Sequence, residues 1–186
     1  MTTLLIRAAV AASLVLGVPA AALAQTFLTP YAGATAGGDA PTSKLAAGAS
    51  LMMVNNVGLE IDFGYTPDFF DEEADLALVA DSNVTSLMAN LAVAPGEGPV
   101  RPYGVAGIGL LRTRIETDDL FAEVDENDWG LSVGAGVIGM FSDNVGVRGD
   151  VRYFRRLQDP EGDNDLDVEL GQFDFWRVTG GVTFRF

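Results

Sequence analysis

The feature that most constrains this chain is the two-residue alternation of its last fourteen residues, Phe173 to Phe186. One face carries Trp176, Val178, Gly180, Val182, Phe184 and Phe186, and the other carries Arg177, Thr179, Gly181, Thr183 and Arg185. A period of two belongs to an extended strand with one apolar and one polar side. The polar side spaces two long arginines with Thr and Gly, which suits a cramped polar interior better than a surface open to water.

The same theme recurs along the chain as segments of about ten residues, separated by breaks that alternate between short and long. Strands are predicted at Phe27–Thr35, Lys44–Met53, Val57–Thr66, Asn83–Ala94, Val100–Arg114, Trp129–Phe141 and Val145–Leu157, with the terminal segment as the eighth. The third is the cleanest. Val57, Leu59, Ile61, Phe63 and Tyr65 point one way, and Gly58, Glu60, Asp62, Gly64 and Thr66 the other. The seventh sets Val145, Val147, Val151 and Tyr153 against Arg148, Asp150, Arg152 and Phe154. In the fifth, glycines at 104, 107 and 109 break the alternation and leave room for a bulge.

Residues 1–24 read differently. Arg7 precedes an apolar run from Ala8 to Val18, and Ala22-Leu23-Ala24 stands before Gln25. The run is too short to span a bilayer, and the small residues before the break suit signal peptidase. The expected division is a signal peptide at 1–24 and one β-domain at 25–186. No later segment offers eighteen uninterrupted apolar residues, so a membrane crossing would have to be made by strands closed into a barrel.

Composition excludes much chemistry. The chain has no cysteine and no histidine, which removes disulfides, thiolate or imidazole metal sites, and Ser-His-Asp or Cys-His catalysis. Its 26 acidic against 11 basic residues give a net charge of −15, which argues against nucleic acid as a partner.

The ending Thr179-Gly180-Gly181-Val182-Thr183-Phe184-Arg185-Phe186 resembles the terminal signal of bacterial outer-membrane barrels, with Thr179, Gly181, Phe184 and Phe186 at the matching positions. The whole of 25–186 is similar to the small eight-stranded OmpA/OmpX and opacity-type group. That resemblance implies an all-β, eight-stranded antiparallel up-and-down transmembrane barrel in the cell outer membrane. It also implies recognition of the last strand by the barrel-assembly machinery, and contact with outer-membrane lipid and lipopolysaccharide. With eight strands, three short turns and both termini would face the periplasm, and four longer loops the outside. The barrel enzymes of similar architecture use a histidine, so no enzymatic activity and no cofactor are expected here.

An eight-stranded interior is just wide enough to be filled by its own side chains. The inward set, Glu60, Asp62, Arg148, Asp150, Arg152, Arg177 and Arg185, predicts a buried salt-bridge network that plugs the lumen. Glu60 and Arg148 are each fourth from the short-turn end of opposed strands, so they should face one another. The acid of 115–128 and 158–172 reads as a solvated outer surface. Within it, Asp163, Asp165, Asp167 and Glu169 alternate like calcium ligands, but without the Gly and terminal Glu of an EF-hand loop. Lys44, Arg112, Arg114, Arg155 and Arg156 fall near outer strand ends and form a candidate collar for lipid phosphate. Tyr31, Tyr65, Tyr103, Trp129, Tyr153, Trp176, Phe184 and Phe186 suit interface girdles. The expected role is structural or surface-interactive through acidic outer loops. A narrow conduit for small solutes and a soluble lipocalin-type barrel are the alternatives.

Overall fold

The computed structural model describes residues 24–38, 40–67, 69, 79–117, 123–157 and 173–186, with backbone alone at 40–43, 79–82, 114–117 and 123–127. Eight strands follow in chain order: β1 (Gln25–Gly37), β2 (Ala40–Val54), β3 (Val57–Pro67), β4 (Val79–Val93), β5 (Val100–Thr117), β6 (Glu123–Met140), β7 (Val145–Arg156) and β8 (Asp174–Arg185). Each pairs antiparallel with its neighbours, and β8 pairs with β1 to close the barrel. Closure leaves no unpaired edge within the ring, which lipid requires because it offers backbone groups no hydrogen bonds.

The alternation sorts side chains as an apolar solvent demands. On β3, Leu59, Ile61, Phe63 and Tyr65 are exposed on the outside, while Glu60 and Asp62 are buried within. On β7 and β8, Val147, Val151, Trp176, Val178 and Val182 are exposed, and Arg148, Asp150, Arg152 and Arg177 are buried. So broad an apolar exterior on a closed ring is a lipid-facing wall. A soluble lipocalin-type barrel requires the reverse arrangement and is ruled out.

Three expectations are corrected. First, β5 contains no bulge. Its register runs without a shift from Asp81↔Glu116 to Val93↔Gly104 on one side, and from Val100↔Gly139 to Glu116↔Glu123 on the other. Gly107 and Gly109 face inward and make room for Asn90 and Met88 of β4, so these glycines answer to packing across strands rather than to a kink.

Second, the strands outrun their predicted outer ends. β2 begins at Ala40, β4 at Val79 and β6 at Glu123, and β5 continues to Thr117. Glu116, Glu123, Asp125, Glu126 and Asp128 are therefore strand residues, and Arg114 is opposite Asp125 in register. Above the lipid both faces of a strand are wet. Backbone pairing then persists with no alternation left to reveal it.

Third, Tyr31 and Tyr103 are not girdle residues. Tyr103 is buried, and the Tyr31 hydroxyl donates to the Phe63 carbonyl at 2.9 Å across the ring interior.

Candidate functional site

The interior is filled in three layers. At the end bearing the termini and short turns, Phe27, Met52, Val54, Ala92, Ala94, Tyr103, Val105 and Ile138 form an apolar cluster. At the long-loop end, Val84, Met88, Leu111, Phe154 and Phe175 are joined by Phe69 and Phe173, which lie just outside β3 and β8. Phe69 packs 5.5 Å from Phe173 and 5.2 Å from Phe175, and Phe154 stacks on Phe175 at 4.9 Å. Between these aromatic and aliphatic ends lies a charged middle.

The middle layer is built on inward positions of β3, β7 and β8. Glu60 is its centre: Oε1 accepts from Arg148 Nη2 at 2.6 Å, Arg152 Nη2 at 2.9 Å and Ser50 Oγ at 2.8 Å, and Oε2 accepts from Asn90 Nδ2 at 3.0 Å. Asp150 Oδ1 accepts from Arg152 Nε at 2.6 Å, and its Oδ2 accepts a hydrogen bond from the Tyr103 hydroxyl. That hydroxyl in turn accepts from Arg148 Nε at 2.6 Å. Asp62 Oδ1 accepts from Arg177 Nη2 at 2.5 Å, and Asp62 Oδ2 stands 3.6 Å from Arg152 Nη1.

Three carboxylates thus meet three guanidiniums, all buried. Unpaired, each charge would cost several kcal/mol here, and close pairing with hydrogen bonds offsets that penalty. Arginine planes also lie on aromatic faces. Arg148 is 4.5 Å from the Tyr103 ring centre and Arg177 4.7 Å from that of Phe154. Inward glycines admit this bulk: a Cβ at Gly64 would meet the Arg177 guanidinium, and one at Gly136 the Tyr103 hydroxyl.

The structure brings Glu60, Asp62, Arg148, Asp150, Arg152 and Arg177 together and leaves Arg185 out. Arg185 Nε donates to the Asp143 carbonyl at 2.7 Å on the exposed rim, because its place next to the chain end puts it below the charged layer. Arg101 instead closes that end from inside. It is buried, and it donates to Gln25 Oε1 at 3.0 Å, to the Ala94 carbonyl at 3.1 Å and to the Asn55 carbonyl. Arg101 and the partners Ser50, Asn90 and Tyr103 are additions to the predicted set. Parity along β2 and β4 was the available signal for Ser50 and Asn90, while glycine hid that of β5.

The proposed collar divides. Arg112 and Arg155 are exposed on outward positions, next in register to Asn127 and Leu131. Arg156 turns inward, with Nε 2.8 Å from Asp128 Oδ2 and its guanidinium 5.3 Å from the Phe173 ring. Lys44 shares the inward parity of Ala46, and Arg114 is described by backbone alone. Of the terminal signal residues, Thr179 is buried inside, Gly181 is half-buried on the same inward face, and Phe184 and Phe186 are exposed. The candidate calcium residues Asp163, Asp165, Asp167 and Glu169 lie outside the described residues. Among the described residues no group of three or more acids is placed to hold a metal ion.

Comparison with known proteins agrees with this architecture. The family model described as outer membrane protein beta-barrel domain matches residues 8–186. Among solved structures, Neisserial surface protein A is 18% identical with a TM-score of 0.64, over 87% of this chain and 97% of that one. Ail, the attachment invasion locus protein of Yersinia pestis, is 17% identical with a TM-score of 0.58, over 88% and 99%. The N-terminal β-barrel domain of Pseudomonas aeruginosa OprF is 17% identical with a TM-score of 0.54, over 87% and 97%. No curated protein matches.

Proposed function

This chain belongs to the outer membrane β-barrel protein family, and from that premise we propose that it is a plugged cylinder whose work is structural or surface-interactive rather than conductive or enzymatic. The observation that carries this reading is the filling of the lumen, a neutral charged layer between two apolar clusters. An ion entering from either end would meet packed aliphatic and aromatic side chains, with Arg101 closing the short-turn end, and would then compete with ion pairs already made. Residues 1–24 are removed on export in this reading, and the Thr179, Gly181, Phe184 and Phe186 pattern hands the last strand to the assembly machinery.

With the short turns and termini in the periplasm, the acidic β5–β6 extension faces outward, while the acid-rich 158–172 lies outside the described residues. Ail has been crystallised with sucrose octasulfate, a heparin analogue. The outer acid of this chain, whose full sequence carries a net charge of −15, would repel such a polyanion and favours a cationic partner. Arg112 and Arg155, at the outer headgroup level beside Trp129, would contact lipid phosphate.

Planar-bilayer recording tests the plug. The purified barrel should insert without steady conductance. Reproducible unitary channels would replace the plug with the conduit reading.

A further inference from the structure

We infer that the charged layer contains a specific site for one water molecule, made to take a neutral occupant and to refuse ions. A small cavity there is lined by Thr29, Tyr31, Asp62, Arg152 and Thr179, with the Arg148 and Asp150 side chains completing its wall, and it has about the room one water needs. Two atoms on this wall lack a hydrogen-bond partner, Asp62 Oδ2 and Arg152 Nη1, on side chains that are fully or almost fully buried. They stand 3.6 Å apart, too far for a direct hydrogen bond. One is an acceptor needing a proton and the other a donor needing a lone pair. Water supplies both, and a bridging water is nearly as favourable as a direct bond.

Charge decides between water and a small ion. Glu60, Asp62 and Asp150 balance Arg148, Arg152 and Arg177, so the layer is neutral as it stands. A halide or an alkali cation would add an unbalanced charge in a dry interior, whereas water adds none. Thr29 already donates its proton to Thr183 Oγ1 at 2.8 Å, so toward the cavity its oxygen presents lone pairs, the complement of a second water hydrogen. The site therefore satisfies the last open groups between Asp62 and Arg152 without giving an ion a place to rest.

A crystal of the wild-type barrel soaked in sodium bromide tests this. The expected result is one oxygen-sized peak within hydrogen-bond reach of Asp62 Oδ2 and Arg152 Nη1, with no anomalous signal at that position. Bromide at the site overturns the inference, as does an empty site in which Asp62 and Arg152 bond directly. In Asp62→Asn the layer has one positive charge in excess, and the same soak should now place bromide in the cavity. Thr29→Ile fills the space, and oxygen-17 relaxation dispersion should count one fewer long-lived water than in the wild type; an unchanged count also overturns it. Should neither variant fold, the wild-type soak alone decides.

Discussion

Glu60→Ala should lower the stability of the folded barrel by about 3–5 kcal/mol, the cost of leaving buried partners without their counter-charge. One substitution removes the acceptor of Arg148, Arg152, Ser50 and Asn90 together, and Asp62 and Asp150 are left to neutralise three guanidiniums. Urea titration of barrels refolded in lipid gives the number, and loss of heat-modifiable gel mobility gives a second readout. Arg185→Ala is the matched control, since among the described residues that side chain bonds only the exposed Asp143 carbonyl. It should cost well under half as much. Equal losses from the two variants would show that the charged layer is not what holds the lumen closed. A variant replacing Glu60, Arg148, Asp150 and Arg152 with apolar residues of similar volume leaves Asp62 paired with Arg177 and should recover much of the loss, because a buried ion cluster is worth little relative to good apolar packing.

The fold was legible because alternation survives wherever lipid lies on one side and a polar lumen on the other. β3 and β7 show it in nearly every residue, and that was enough to put Glu60 and Arg148 on the inside. Period two assigns a side but not a depth. Arg185 shares a face with Arg177 yet lies at the far end of β8, too near the chain end to join the layer. Counting from the short-turn ends set Glu60 opposite Arg148, but contacts between neighbouring strands left no such mark. Asn90 meets Glu60 because β3 and β4 pair them directly, and no pattern within either strand carries that register. Tyr103 was misread as a girdle residue because the glycines around it erase the apolar half of the alternation. Phe69 gave no periodic signal at all, since it fills the lumen from outside the strands, and Phe173 heads the terminal alternation but was assigned to neither face. The outer ends of β4, β5 and β6 failed differently: polar residues follow one another there, as in Asp125-Glu126-Asn127-Asp128, and leave no alternation to read.

Val178→Arg should cost about 2–4 kcal/mol, the depth-dependent penalty for a cation on the lipid face near the bilayer midplane. Val178 is 53% exposed on the outside of β8, paired with Val151 of β7 and Ala34 of β1, with no carboxylate among these register neighbours to receive the charge. The flanking inward positions hold Arg177 and Thr179, so the same strand tolerates a guanidinium one residue away only because it turns to Asp62. Val178→Leu keeps the surface apolar and should change stability by less than about 0.5 kcal/mol. The pair separates lipid from water as the outer solvent. If the barrel stood in water, an exposed arginine would be nearly neutral and an exposed leucine no better, and both variants would match the wild type. In lipid they must part by at least a factor of ten in the folding equilibrium, since 2 kcal/mol exceeds the roughly 1.4 kcal/mol that a decade requires. Urea unfolding in vesicles of two acyl lengths sharpens the result. Thinner bilayers bring the headgroups closer to Val178 and should shrink the arginine penalty while leaving the leucine variant unmoved.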